Sequence, residues 1–186
     1  MSSKKVEKLK AVHAAPESQG TEPIMSSKHL AQGAWPELSE FEFGLIVVNN
    51  AFNRWVVRCM AAAGLSDLAA TDVLLLHHVH HRGRGKRLAD ICFTLNYEDA
   101  HIVAYSLRKL VALGLIETSK AGKEVLYATS EVGHEWVLKY RDVRNACLMP
   151  SIQVQSKDGH ALAEMAQALR SLSGVYDQAA RAAASL

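Results

Sequence analysis

The stretch Ser106-Leu107-Arg108-Lys109-Leu110-Val111-Ala112-Leu113-Gly114-Leu115-Ile116 decides the fold. Its apolar spacing is that of an amphipathic helix; Gly114 stops the helix, and an apolar strand begins at once. That strand, Leu115–Thr118, turns through Lys120-Ala121-Gly122-Lys123 and returns as Val125–Thr129. Working outward, Asn96 is a suitable N-cap for the helix, which then runs Tyr97–Leu113. Before it come a short helical pattern at Leu88–Thr94 and a basic turn, Arg82-Gly83-Arg84-Gly85-Lys86-Arg87.

Helix, helix, β-hairpin in that order predicts a winged helix-turn-helix, which sets a helix for a DNA groove beside a basic ribbon for the flanking backbone. Charge is concentrated in the same place. Between Arg82 and Lys123 eight Lys and Arg face four Asp and Glu, a local excess of +4 in a chain whose net charge is only +2. Such a chain is no histone-like polycation; its positive potential belongs to the motif.

The flanks read as helices. Residues 1–36 carry Ser, Gln, Gly and Pro without apolar periodicity and predict a flexible N-terminal arm ending at Trp35-Pro36. Ser39-Glu40-Phe41-Glu42 reads as a capping box opening a helix with an apolar stripe at Phe41, Leu45, Val48, Phe52, Trp55 and Cys59, ended by Gly64. A second helix runs from a Ser66 cap through Val73–Leu76 to a break near Gly83. After the hairpin, Ser130 or Glu131 starts a helix reaching Met149-Pro150. Residues 150–159 read as a connector. A last helix, about 160–185, carries a heptad seam at Leu162, Met165, Leu169, Leu172, Tyr176, Ala179, Ala183 and Leu186. The expected fold class is therefore mainly α with a small β-hairpin: an arm at 1–36, an N-terminal dimerisation helix at 37–64, a winged helix domain at 65–130, and C-terminal dimerisation helices at 131–186. The two apolar seams demand partner surfaces, and a homodimer supplies them.

The helix Tyr97–Leu113 divides its faces as a recognition helix must. Val103, Leu107 and Leu110 share a core face, while His101, Tyr105 and Arg108 project oppositely toward base edges. Arg84, Lys86 and Arg87 at the entrance, and Lys120 and Lys123 at the wing tip, are candidates for phosphate contacts, which give affinity and register. Glu98 and Asp99 suit the positive end of the helix dipole.

The motif resembles the winged-helix regulators of the MarR family. Leu88-Ala89, the run Leu107–Ile116, and Leu126-Tyr127-Ala128-Thr129-Ser130-Glu131-Val132-Gly133 carry the likeness, the last matching the family's strand followed by Thr-x-x-Gly. The order of flanking helices extends it over 39–186. The wing lacks the family's common Asp-x-Arg, so no wing-tip Arg is carried over. The resemblance implies a homodimer with interleaved terminal helices, half-sites ~34–36 Å apart on double-stranded DNA, and release by a small-molecule effector.

Other chemistries have less support. His77, His78, His80 and His81 close the second helix, and His77/His81 have the spacing of a metal pair, but a zinc site needs further ligands. A metal-responsive regulator built on this cluster, or a winged helix that binds protein, are the alternatives to a DNA reader; metal is otherwise not expected. Cys59, Cys92 and Cys147 are odd in number, without a CxxC, and lie in apolar patterns, which predicts reduced, buried thiols and a cytoplasmic protein. There is no P-loop, GxGxxG, HExxH or GxSxG. No enzyme and no cofactor are expected, and no apolar run is long enough for a membrane span.

Overall fold

A computed structural model describes residues 35–155 and 159–186. The expected arm at 1–34 lies outside them. The chain divides into two units, Met1–Ala51 and Phe52–Leu186. The described part of the first is the leading half of helix α1 (Pro36–Ala62). This helix begins three residues before the capping box expected at Ser39. Proline at the first helical position needs no N–H partner and has its φ already set, so Pro36 starts the helix and Ser39 lies inside it. Leu38, Ile46, Val47 and Val48 present apolar surface to solvent.

The second unit opens with the trailing half of α1, whose Val56, Cys59 and Met60 are buried. Gly64 takes φ 107° and turns the chain out of the helix. Helix α2 (Ala70–His80) follows. Its expected Ser66 cap is not used: the Asp72 carboxylate reaches back to the Ala69 N–H at 2.9 Å and starts the helix there. A single tight turn, His81–Gly83, contains Arg82 at φ 68° and delivers the chain to strand β1 (Lys86–Arg87).

Helices α3 (Leu88–Leu95) and α4 (Ala100–Ala112) form the helix-turn-helix. The turn corrects the sequence reading. Asn96 is not the N-cap of α4 but the C-cap of α3, at φ 56° and ψ 43°, a left-handed conformation that Asn tolerates better than most residues. The N-cap of α4 is Asp99, whose Oδ1 accepts from the His101 N–H at 2.8 Å. Strands β2 (Ile116–Ala121) and β3 (Glu124–Thr129) form the wing, with β3 central in the order β1-β3-β2, all antiparallel. The sequence reading missed β1, which pairs Lys86 with Tyr127 and Arg87 with Leu126.

Helix α5 (Glu131–Cys147) is capped by Ser130, whose Oγ accepts from the Gly133 N–H at 3.0 Å and donates to the Gly114 carbonyl at 2.6 Å. One hydroxyl thus ties the end of α4 to the start of α5. The connector expected at 150–159 begins instead as helix α6 (Met149–Gln155). Pro150 is in its first turn, where a missing N–H costs nothing. Helix α7 (His160–Ala183) closes the chain. The core is formed by α2, α3, α4 and the trailing half of α1, with Leu115 and Ile116 from the wing and Val137 and Tyr140 from α5. Of the expected buried thiols, Cys59 and Cys92 are buried and Cys147 is exposed.

Candidate nucleic-acid interface

Helix α4 is held from behind. Val103, Leu107 and Leu110 are fully buried, and Ser106 is nearly so. Ser106 Oγ donates a short hydrogen bond to Asp72 Oδ1, and Lys109 Nζ donates to Asp72 Oδ2 at 2.7 Å. Lys109 also reaches the Asp67 carbonyl at 2.7 Å. Asp72 therefore starts α2 and clamps α4 with one carboxylate. Burial raises its pKa, but the bonds from Lys109, Ser106 and Ala69 outweigh that and hold it below the ordinary carboxylate value. Lys109 is thus spent on the scaffold, while its neighbour Arg108 is exposed.

The outward face of α4 presents His101, Tyr105 and Arg108, all exposed. Ile102 is exposed beside them, a residue the sequence reading passed over although its spacing from Tyr105 was there to be read. On the wing, Lys120 and Lys123 are exposed, and Gly122 at φ 64° makes the turn between them.

The entrance cations divide. Arg84 is exposed in a cleft of about 590 Å³ that His81, Arg82 and Arg87 also line. Lys86 is committed elsewhere: its Nζ donates to the carbonyls of Val79 at 2.8 Å and His81 at 2.5 Å, satisfying the C-terminal end of α2. Burial lowers its pKa, aided by Arg84 and Arg82. Arg87 is bidentate to Asp90 at 2.8 and 2.9 Å and reaches Glu124 on β3 at 3.3 Å. These two cations, expected to grip phosphate, fasten β1 to its surroundings. Lys86 turns back onto backbone carbonyls, which carry no charge to count, and Arg87 adds Glu124, 37 residues on, to its near neighbour Asp90.

The histidines do not converge. His77 is largely buried, its ring edge-on to Tyr140 at 4.3 Å, and its Nε2 has no hydrogen-bond partner. Burial, with help from His80, pushes its pKa down to about 4. His81 Nε2 accepts from Arg82 Nε at 3.2 Å. His80 lies 5.0 Å from the ring of His134 on α5. Among the described residues no three His, Cys, Asp or Glu side chains gather as a metal site would require. His77 and Tyr140 also line an apolar cavity of about 600 Å³ with Phe52, Trp55, Arg141 and Arg144.

No helix among the described residues is long and apolar enough to cross a membrane. No curated protein matches the sequence. Residues 68–133 match the family described as winged helix DNA-binding domain. Among solved structures, the chain is similar to a MarR-family transcriptional regulator from Rhodococcus sp. RHA1: 16% identity, TM-score 0.57, over 76% of this chain and 96% of that one. AbfR of Staphylococcus epidermidis superposes with TM-score 0.63 at 13% identity, over 81% of this chain and 98% of its own. CouR from Rhodococcus jostii RHA1, solved bound to p-coumaroyl-CoA, superposes with TM-score 0.54 at 15% identity, over 71% and 90%. The chain thus carries a winged helix DNA-binding domain at residues 68–133, set within the fold of the MarR-family transcriptional regulators.

Proposed function

We propose that this protein is a dimeric, cytoplasmic transcriptional regulator of the MarR type, not an enzyme, which reads a pseudo-palindromic duplex through α4 and the wing. One observation carries the reading: α4 is fixed to the core by three buried apolar residues and the Asp72 clamp, while His101, Tyr105 and Arg108 stand exposed on its other side. A helix anchored on one face and chemically equipped on the other is what a major groove accepts. His101, Tyr105 and Arg108 face bases. Arg84, Lys120 and Lys123 hold phosphates, with Lys86 and Arg87 shaping the surface between them.

A homodimer is supported by apolar surface exposed on α1 at Leu38, Ile46, Val47 and Val48, and on α7 at Leu162, Met165 and Leu169. The cavity beside His77 and Tyr140 supports an effector: it is apolar, edged by Arg141 and Arg144, and suited to an aromatic acid or its thioester. An effector acts only through a difference in affinity between the DNA-competent and released arrangements.

Selection of bound sequences from random duplex DNA tests the reading. A palindrome with half-sites about one turn, ~34–36 Å, apart is expected. In the dimer, Lys120→Ala with Lys123→Ala removes four phosphate contacts and flattens the slope of log affinity against log salt by about 3.6, at ~0.9 per phosphate. Recovery of no sequence above non-specific binding, with an unchanged slope in the double variant, would favour a winged helix that binds protein.

A further inference from the structure

We infer that the exposed face of α4 reads thymine methyl groups, with Arg108 supplying a guanine contact, so that each half-site is a thymine-rich element around one G·C pair. This deepens the DNA-binding reading above and rests on it.

The inventory of α4 is narrow. From Ala100 to Ala112 it contains no Asn and no Gln, the side chains that pair bidentately with adenine. Its Ser106 is buried against Asp72, and Lys109 is held by Asp72 and Asp67. Arg108 is then the exposed cation of the helix, and a guanidinium matches the O6 and N7 acceptors of guanine.

Apart from the His101 imidazole, what remains at the N-terminal half of the outer face is apolar or aromatic. Ile102 is 50% exposed and Tyr105 68%, and Ala100 is exposed in the first turn. At ~100° per residue His101, Tyr105, Arg108 and Ala112 share one line, with Ile102 flanking its N-terminal end. That end approaches base edges most closely in helix-turn-helix docking. Leaving Ile102 in water is unfavourable, and nothing in the core uses it. The apolar group on the floor of a major groove is the thymine C5-methyl. An isoleucine and a tyrosine ring set against it lose water from both partners; against cytosine or a purine edge they would strip water from polar atoms instead.

The test uses the full-length protein and the duplex recovered by selection. Thymines in one half-site are replaced by deoxyuridine, which lacks only the methyl, and the guanine by 7-deazaguanine, which lacks N7. Affinity is expected to fall about fourfold for each methyl contacted, ~0.8 kcal/mol for a group of that size. In Ile102→Ser, thymine and deoxyuridine duplexes should bind alike at the position that isoleucine covers. In Arg108→Ala, the 7-deazaguanine penalty should vanish. Both side chains are exposed, so the urea midpoints of the two variants should match the parent, which separates lost contact from lost fold. Full affinity for the deoxyuridine duplex overturns the inference and leaves DNA binding intact. So does a methyl effect that persists unchanged through Ile102→Ser and Tyr105→Ala. If selection recovers no sequence, the DNA-binding reading and this inference fall together.

Discussion

Gly133 occupies a position where only a hydrogen fits. A Cβ built there would lie 2.0 Å from the Leu115 carbonyl oxygen and 2.9 Å from Thr129 Cγ2. The Ser130 N–H donates to that same carbonyl at 3.1 Å, so the backbone cannot shift without losing a bond. Gly133→Ala should cost about 2–3 kcal/mol in urea unfolding, the range of overpacking a tight site. Gly174, on α7 with open space around it, is the control: its alanine variant should gain roughly 0.5–1 kcal/mol from helix propensity. His77 gives a pH signature. Its folded pKa of about 4 lies below its ordinary 6.5, so between those values the unfolded chain binds the proton and the folded one does not. Stability should therefore fall, by up to ~3 kcal/mol, as pH drops from 6.5 to 4, and His77→Phe should flatten the curve over that window. Asp72 acts lower. Its depressed pKa contributes stability above the ordinary carboxylate range, and that contribution is lost only as pH falls below 3.8.

At the level of elements, the recognition helix was legible because its two faces differ. The positions predicted for the core, Val103, Leu107 and Leu110, are all fully buried. Helix periodicity survives any small error in the ends. The ends themselves were not legible, for a local reason in each case. Asn96 suits a left-handed C-cap and an N-cap equally well by residue type, and only the carbonyls of Cys92 and Phe93 above it decide which it is. β1 is two residues long, too short for any period; it is a strand because β3 offers an unpaired edge. The site was half legible. Exposure of His101, Tyr105 and Arg108 followed from geometry on one helix, whereas the commitments of Lys86, Arg87 and Lys109 depend on contacts that only the fold makes: Lys86 turns back onto the Val79 and His81 carbonyls, and Arg87 and Lys109 reach Glu124 and Asp72 far along the chain. The Asp72–Lys109–Ser106 clamp is where α2 grips α4. Asp72→Ala should lower stability by about 2 kcal/mol, less than a fully buried pair because Lys109 remains partly solvated. It should also raise hydrogen exchange first at the α2 and α4 amides, since the substitution removes the N-terminal bond of one helix and the anchor of the other.

For the whole molecule, apolar surface on the terminal helices is the larger fact. Leu162, Met165 and Leu169 on α7 are 41–54% exposed in one chain, at heptad spacing. If α7 carries the proposed dimer, Met165→Asp with Leu169→Asp should give a monomer by sedimentation where the parent gives a dimer, with far-UV circular dichroism retained. DNA affinity should fall with it, because two half-sites then no longer bind as one event. Asn96 gives this a sharper form. From the left-handed turn between α3 and α4, its amide donates to both Asp177 oxygens at 3.2 Å and to Ser173 Oγ at 3.3 Å, all on α7. The joint of the winged-helix motif is therefore fastened to the helix whose exposed apolar seam the proposed dimer would use. Free energy linkage has no preferred direction: if pairing of two chains sets the pitch of that joint for an operator, the operator strengthens the pairing by the same factor. At low copy number the promoter itself would then assemble its regulator, and occupancy would rise more steeply with protein concentration than either event alone allows.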